Sequence, residues 1–96
     1  MISTGSLILS CILWVKGDFT TIREVPISES MAVLVEHKAG FTFKADVIEE
    51  RLNSMEIIHK ASGASTFVYT FDSQQKSLYA KITVKDAESS LSCEIK

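Results

Sequence analysis

ADVIEERLNSMEIIHKASG, Ala45 to Gly63, is the stretch whose reading decides the fold. Asp46 can cap a helix start, because its carboxylate accepts from backbone N–H groups two and three residues on. Glu49 follows three residues later, as in a capping box, and Glu49 and Glu50 sit near the positive end of the resulting dipole. Val47, Ile48, Leu52, Met55 and Ile58 recur at spacings of three and four, with Ser62 at the end of the stripe. Glu49, Glu50, Arg51, Asn53 and Glu56 lie mostly off it. His59 and Lys60 fall where a last turn favours cations, and Gly63 is a natural left-handed stop. A competing reading makes Ser54–Lys60 a strand followed by a turn over Ala61–Ala64, and Ile57, beside the stripe, fits both. Caps and period agree over the whole segment, so the spacing predicts a helix, and its one-sided stripe requires a sheet to pack on.

Upstream, strand patterns dominate. Ser6–Lys16 places Leu7, Leu9, Cys11, Leu13 and Val15 on one face and Ile8, Ser10, Ile12 and Trp14 on the other. Both faces are apolar, as in a strand covered on two sides. Lys16-Gly17-Asp18 reads as a turn. Phe19–Ile27 is more polar, and Pro26 lacks the N–H that a central strand needs, so this segment belongs at an edge or a strand end. Ser28–Gly40 fits either a helix capped by Ser28 or Ser30, or a hairpin. The Ala-Val-Leu-Val run favours the hairpin, pairing Ala32–His37 with Phe41–Lys44 around Lys38-Ala39-Gly40.

Downstream, Ser65–Asp72 alternates Phe67, Tyr69 and Phe71 against Thr66, Val68 and Thr70, with the aromatics expected to face the core. Lys76–Lys85 alternates most clearly, Leu78, Ala80, Ile82 and Val84 inward and Tyr79, Lys81, Thr83 and Lys85 outward. Leu91, Cys93 and Ile95 mark the inner face of a last strand. The expectation is one domain over residues 1–96, of α+β class. It has a single antiparallel β-sheet of about five to seven strands with one main amphipathic helix packed on one face.

The chain has 96 residues, 46% of them apolar, and a mean hydropathy of +0.18. A domain of this length buries only roughly 60–65% of its unfolded surface, so that composition implies a face covered by a partner or in contact with lipid. The net charge is −2, and only Arg23 and Arg51 supply guanidinium groups, which argues against a nucleic-acid partner. Leu7–Val15 has the apolarity of a signal-peptide core, but the uncharged MISTGS before it and the lack of a small-x-small site after it weaken that reading. It is too short to cross a bilayer as a helix, so no membrane span is expected. Cys11 and Cys93 read as two free thiols in a reducing, cytoplasmic setting, or as one disulfide between neighbouring first and last strands in a secreted chain.

Chemical signatures are sparse. Glu56-x-x-His59 lacks the second motif or second histidine that metal sites of this kind require. No serine sits in a Gly-x-Ser-x-Gly elbow, and no Gly-rich phosphate loop occurs. A cysteine nucleophile would need a thiolate, whereas both cysteines lie on apolar strand faces. No catalytic residue, cofactor or metal is therefore expected. Exposed apolar surface remains, and Ile8, Ile12 and Trp14 share the face left open if a helix covers the other. The resulting expectation is a non-enzymatic interaction protein, a homodimer that self-associates through a sheet face or edge anchored by Ile8, Ile12 and Trp14. The competing expectation is a small carrier of apolar ligands, its pocket lined by Met55, Phe67, Tyr69 and Phe71.

Overall fold

The computed structural model describes residues 7–96. The strands are β1 Ile8–Val15, β2 Thr21–Pro26, β3 Ala32–Lys38, β4 Phe41–Ile48, β5 Arg51–His59, β6 Ser65–Tyr69, β7 Ser77–Val84 and β8 Ala87–Ile95. They form two four-stranded antiparallel sheets, ordered β2-β1-β8-β7 and β3-β4-β5-β6. Each strand pairs with the next in sequence except at β2/β3 and β6/β7, where the chain passes from one sheet to the other, and β8 returns to pair with β1. Met1–Ser6, including Ser6 as the first strand residue, lies outside the described residues.

The α+β expectation, one sheet backed by a helix over Ala45–Gly63, is overturned. The protein is all-β, with no helix among the described residues. The segment is instead the β4–β5 hairpin. Glu49 and Glu50 form its two-residue turn, both in left-handed backbone with φ of 54° and 59°. Such a turn ordinarily selects Asn-Gly, so two glutamates leave no turn signal in the sequence. A β-bulge then imitates helical spacing. Asp46 faces Ser54 while Val47 faces Leu52, which leaves Asn53 as an extra residue in β5. Leu52 and Met55, three residues apart, therefore both point inward and are fully buried. Ile48 and Ile58, which completed the supposed stripe, are only half-buried. Asp46 caps no helix; its carboxylate accepts from Ser54 Oγ at 2.6 Å and Asn53 Nδ2 at 3.4 Å, across the bulge.

Other local readings hold. Ala32–Lys38 and Phe41–Ile48 form a hairpin, though its turn is Ala39-Gly40 alone, with φ of 50° and 85°. β2, with Pro26, is an edge strand.

The core lies between the sheets. Leu9, Cys11, Leu13 and Val15 of β1, Ala80 and Ile82 of β7, and Leu91 and Cys93 of β8 supply one side. Leu34 of β3, Phe41, Phe43 and Val47 of β4, and Leu52, Met55 and Ile57 of β5 supply most of the other. The two Phe rings lie 6.2 Å apart. Cys11 and Cys93 are directly opposed on β1 and β8, with Cα atoms 4.1 Å apart, and form a disulfide within the sheet. A crosslink between residues 82 positions apart stabilises the fold by about 4 kcal/mol on loop-entropy arguments. Side chains close one seam: Arg23 pairs with Glu36 at 3.2 Å, and Lys38 Nζ donates to the Phe19 carbonyl and Thr21 Oγ1.

Replacing the acidic turn tests the hairpin directly. Left-handed backbone costs an ordinary L-residue about 1–2 kcal/mol. The double substitution Glu49→Asn/Glu50→Gly should therefore raise unfolding free energy by about 1 kcal/mol or more in urea titrations. A helix over the same residues would instead be weakened by Gly.

Candidate functional site

The functional surface must be sought on the outer faces and free edges of the two sheets, because the inner faces fill the core. On the β2-β1-β8-β7 sheet, alternation turns Ile8, Ser10, Ile12 and Trp14 outward, opposite to the buried Leu9, Cys11, Leu13 and Val15. Ile12 is 44% exposed and stands directly opposite Ile22 of β2, which is 61% exposed. Ile8 is about one-third exposed, and Trp14 is half-buried one row beyond Ile12. The structure thus brings Ile12 and Ile22 together, with Ile8 and Trp14 flanking. Ile22 was missed in sequence because its strand reads as polar. Around them stand Glu24 with Lys96 at 3.9 Å and Lys81 with Glu88 at 2.6 Å. The hydrogen bond from Lys81 lowers the Glu88 pKa and raises that of Lys81. A small hollow of about 100 Å³ lies beside Ile12, lined also by Ser10, Ser92, Glu94 and Lys96.

The outer face of the other sheet is a groove of about 230 Å³. Lys44, Ala45, Asp46, Ser54 and Glu56 line it between Val33 and Val35 on one side and Phe67 on the other, and its exposed lining is mostly apolar. Pockets that enclose a small ligand usually measure about 300–1,000 Å³, so this groove is an open surface rather than a carrier's cavity.

The aromatic row departs from expectation. Phe67, Tyr69 and Phe71 point to solvent, 57%, 58% and 82% exposed, instead of into the core. The register explains it: Val68 of β6 pairs with Met55 of β5, and side chains of directly opposed residues share a face. Met55 is fully buried, so Val68 points inward and Phe67 and Tyr69 outward. Phe67 and Tyr69 have ring centroids 5.7 Å apart, and Tyr69 meets Phe71 edge-on at 5.3 Å. Met55 is therefore on the other side of the sheet from these three rings, and the four residues line no common pocket. In STFVYTF both alternating sets are regular, and nothing in the segment itself selects which one faces the core.

The remaining candidates resolve into structural roles. Glu56 lines the outer groove, whereas the His59 ring packs on Phe41 at 5.0 Å and its Nδ1 lies 2.7 Å from Ser62 Oγ. His37 Nδ1 lies 3.0 Å from Thr42 Oγ1 across the β3–β4 ladder. Both cysteines are consumed by the disulfide. Among the described residues no three His, Cys, Asp or Glu side chains gather as a metal site, and no helix is long and apolar enough to cross a membrane.

The two sets of aromatics should respond oppositely to truncation. Phe71→Ala should change unfolding free energy by less than about 0.5 kcal/mol. Phe43→Ala, in the core, should lose about 3–5 kcal/mol; equal losses would mean that the aromatic row is packed. No family model matches the chain, and no curated protein or solved structure matches it either.

Proposed function

We propose that this chain is a small interaction module that acts by binding rather than by catalysis, and that it pairs with a second copy through the outer face of the β2-β1-β8-β7 sheet. The observation that carries the reading is the directly opposed Ile12–Ile22 pair, large apolar side chains left 44% and 61% exposed on the outer face, one on β1 and the other on the edge strand β2. Ile8 and Trp14 extend that patch along β1. Completing the burial of a half-exposed Ile contributes about 1 kcal/mol, and a two-fold contact counts each residue twice. Glu24, Lys96, Lys81 and Glu88 surround the apolar centre with mixed charge, the arrangement of a polar rim.

Light scattering over a dilution series tests the reading. The wild-type chain should be dimeric at micromolar concentration, and Ile12→Asp/Ile22→Asp should weaken that association by at least about 100-fold. The two carboxylates face each other across β1 and β2 and should lower the monomer's unfolding free energy by up to about 1 kcal/mol, a change that a melt reads separately from association. Unchanged association in that variant would overturn the assignment of this face.

The disulfide supports placing the folded protein in an oxidising compartment rather than the reducing one expected from its low cysteine count. Chain isolated from its native source without reductant should resist alkylation at both cysteines and have an intact mass lower by two hydrogens than after reduction. Ready alkylation of both would assign it to a reducing compartment.

A further inference from the structure

Among the described residues four strands have a free edge, and three of them carry a charge or a proline. In β2, the bond from Ile27 N–H to the Leu7 carbonyl at 3.0 Å fixes the phase of the ladder, so Ile22, Glu24 and Pro26 direct their backbone groups outward. Pro26 has no N–H to offer there, and Glu24 places a charge on the same edge. In β7, the bond from Ile95 N–H to the Lys76 carbonyl at 2.8 Å sets the phase. Lys81 then stands on the open side, held by Glu88. Along β3, the Arg23–Glu36 pair and the Lys38 bonds from the β2 side tie the flank to the other sheet.

β6 carries no such device. Thr70 N–H bonds the Asn53 carbonyl at 3.0 Å and His59 N–H the Ala64 carbonyl at 2.8 Å. Alternation then commits Thr66 and Val68 to β5 and leaves the backbone groups of Ser65, Phe67 and Tyr69 pointing away from the sheet. From Ser65 to Phe71 there is no charged residue, no Pro and no Gly, in a chain with 10 basic and 12 acidic side chains. Among the described residues no side-chain hydrogen bond or ion pair involves β6.

We infer that the free edge of β6 is a strand-addition site and that its occupant is β6 of a second copy. The edge is complementary to itself. Antiparallel pairing about a two-fold axis at Phe67 sets Phe67 opposite Phe67 and Ser65 opposite Tyr69, so every free donor meets a free acceptor. No like charges meet, because the strand has none. Aromatic side chains, which favour each other across strands, then fall side by side on the outer face. The contact closes on itself, because it consumes the open edge of both copies and leaves only the tied β3 edges outermost. On its own this contact yields a discrete pair; combined with the face contact, two independent two-fold contacts link copies into longer assemblies at millimolar concentration. It is separate from the Ile12–Ile22 face, and neither contact requires the other.

Amide hydrogen exchange by NMR, in the Ile12→Asp/Ile22→Asp background, separates the two contacts. This variant should still dimerise at millimolar concentration. The amides of Ser65, Phe67 and Tyr69 should then exchange at least roughly tenfold more slowly than at micromolar concentration. Phe67→Pro, which removes only an outward N–H from the backbone, should abolish that dimer. Tyr69→Lys leaves the backbone intact, adds the missing edge charge, and should do the same if the proline variant folds poorly. A monomeric background variant, or a dimer in which these amides still exchange fast, would overturn the edge contact; dimerisation of the wild-type chain alone would still stand for the face.

Discussion

The pairing of β1 with β8 is the constraint on which the rest of the structure depends. The β3-β4-β5-β6 sheet is a meander built from near neighbours in sequence. The other sheet is assembled half from the start of the described chain and half from its end, with β1 and β8 at its centre. Without that junction, β1–β2 and β7–β8 would be two isolated hairpins, which are marginally stable at best in water. The inner face that β1 and β8 share, with Leu9, Leu13 and Leu91 fully buried, belongs to one core cluster with Phe43, Leu52 and Ile57 of the opposite sheet. Closing so long a loop is entropically costly before any contact rewards it. The disulfide between Cys11 and Cys93 lowers that cost where it is greatest.

How much of this was legible depends on whether a segment obeyed a simple period. Leu78, Ala80 and Ile82 alternate without interruption, and the structure places them inward as read. Pro26 marked an edge because a missing N–H is a local chemical fact. The β4–β5 hairpin was illegible for two linked reasons. Glu49-Glu50 adopts a turn that its own side chains disfavour, so the turn left no signature. The bulge at Asn53 then shifted the strand's parity, turning a period of two into an apparent step of three between Leu52 and Met55. Tertiary packing overrode local preference at both points. The candidate surface was legible in part: the outward side of β1 followed from alternation, whereas Ile22 and the aromatic row depended on register with other strands.

The two sheets differ in how they treat solvent. The first keeps its apolar outer residues on β1 and the edge strand β2, with ion pairs nearby, and its edges carry Pro26, Glu24 and Lys81. Along the middle strands of the second, the outer face carries Lys44, Asp46, Ser54 and Glu56 together with half-buried Ile48 and Ile58, and exposed apolar side chains stand at both margins, Val33, Val35, Phe67 and Tyr69. Core packing does not demand either distribution, since the inner faces alone bury Phe41, Phe43 and the leucines. They are properties of the surface alone.

The position of the disulfide also determines how the molecule bears tension. Ile8 and Lys96 exchange backbone hydrogen bonds of 3.1 and 2.9 Å, so the ends of β1 and β8 lie side by side. A pull on them would unzip this ladder one bond at a time, the weakest mode for a sheet. The peeling stops at Cys11 and Cys93, only a few residues in, where a covalent bond takes the load. Whatever precedes or follows these cysteines in a longer chain, mechanical force crosses directly from one to the other and bypasses both sheets. Under reducing conditions the same force would reach the core, so the redox state of one bond decides whether the domain acts as a rigid link or as an extensible one.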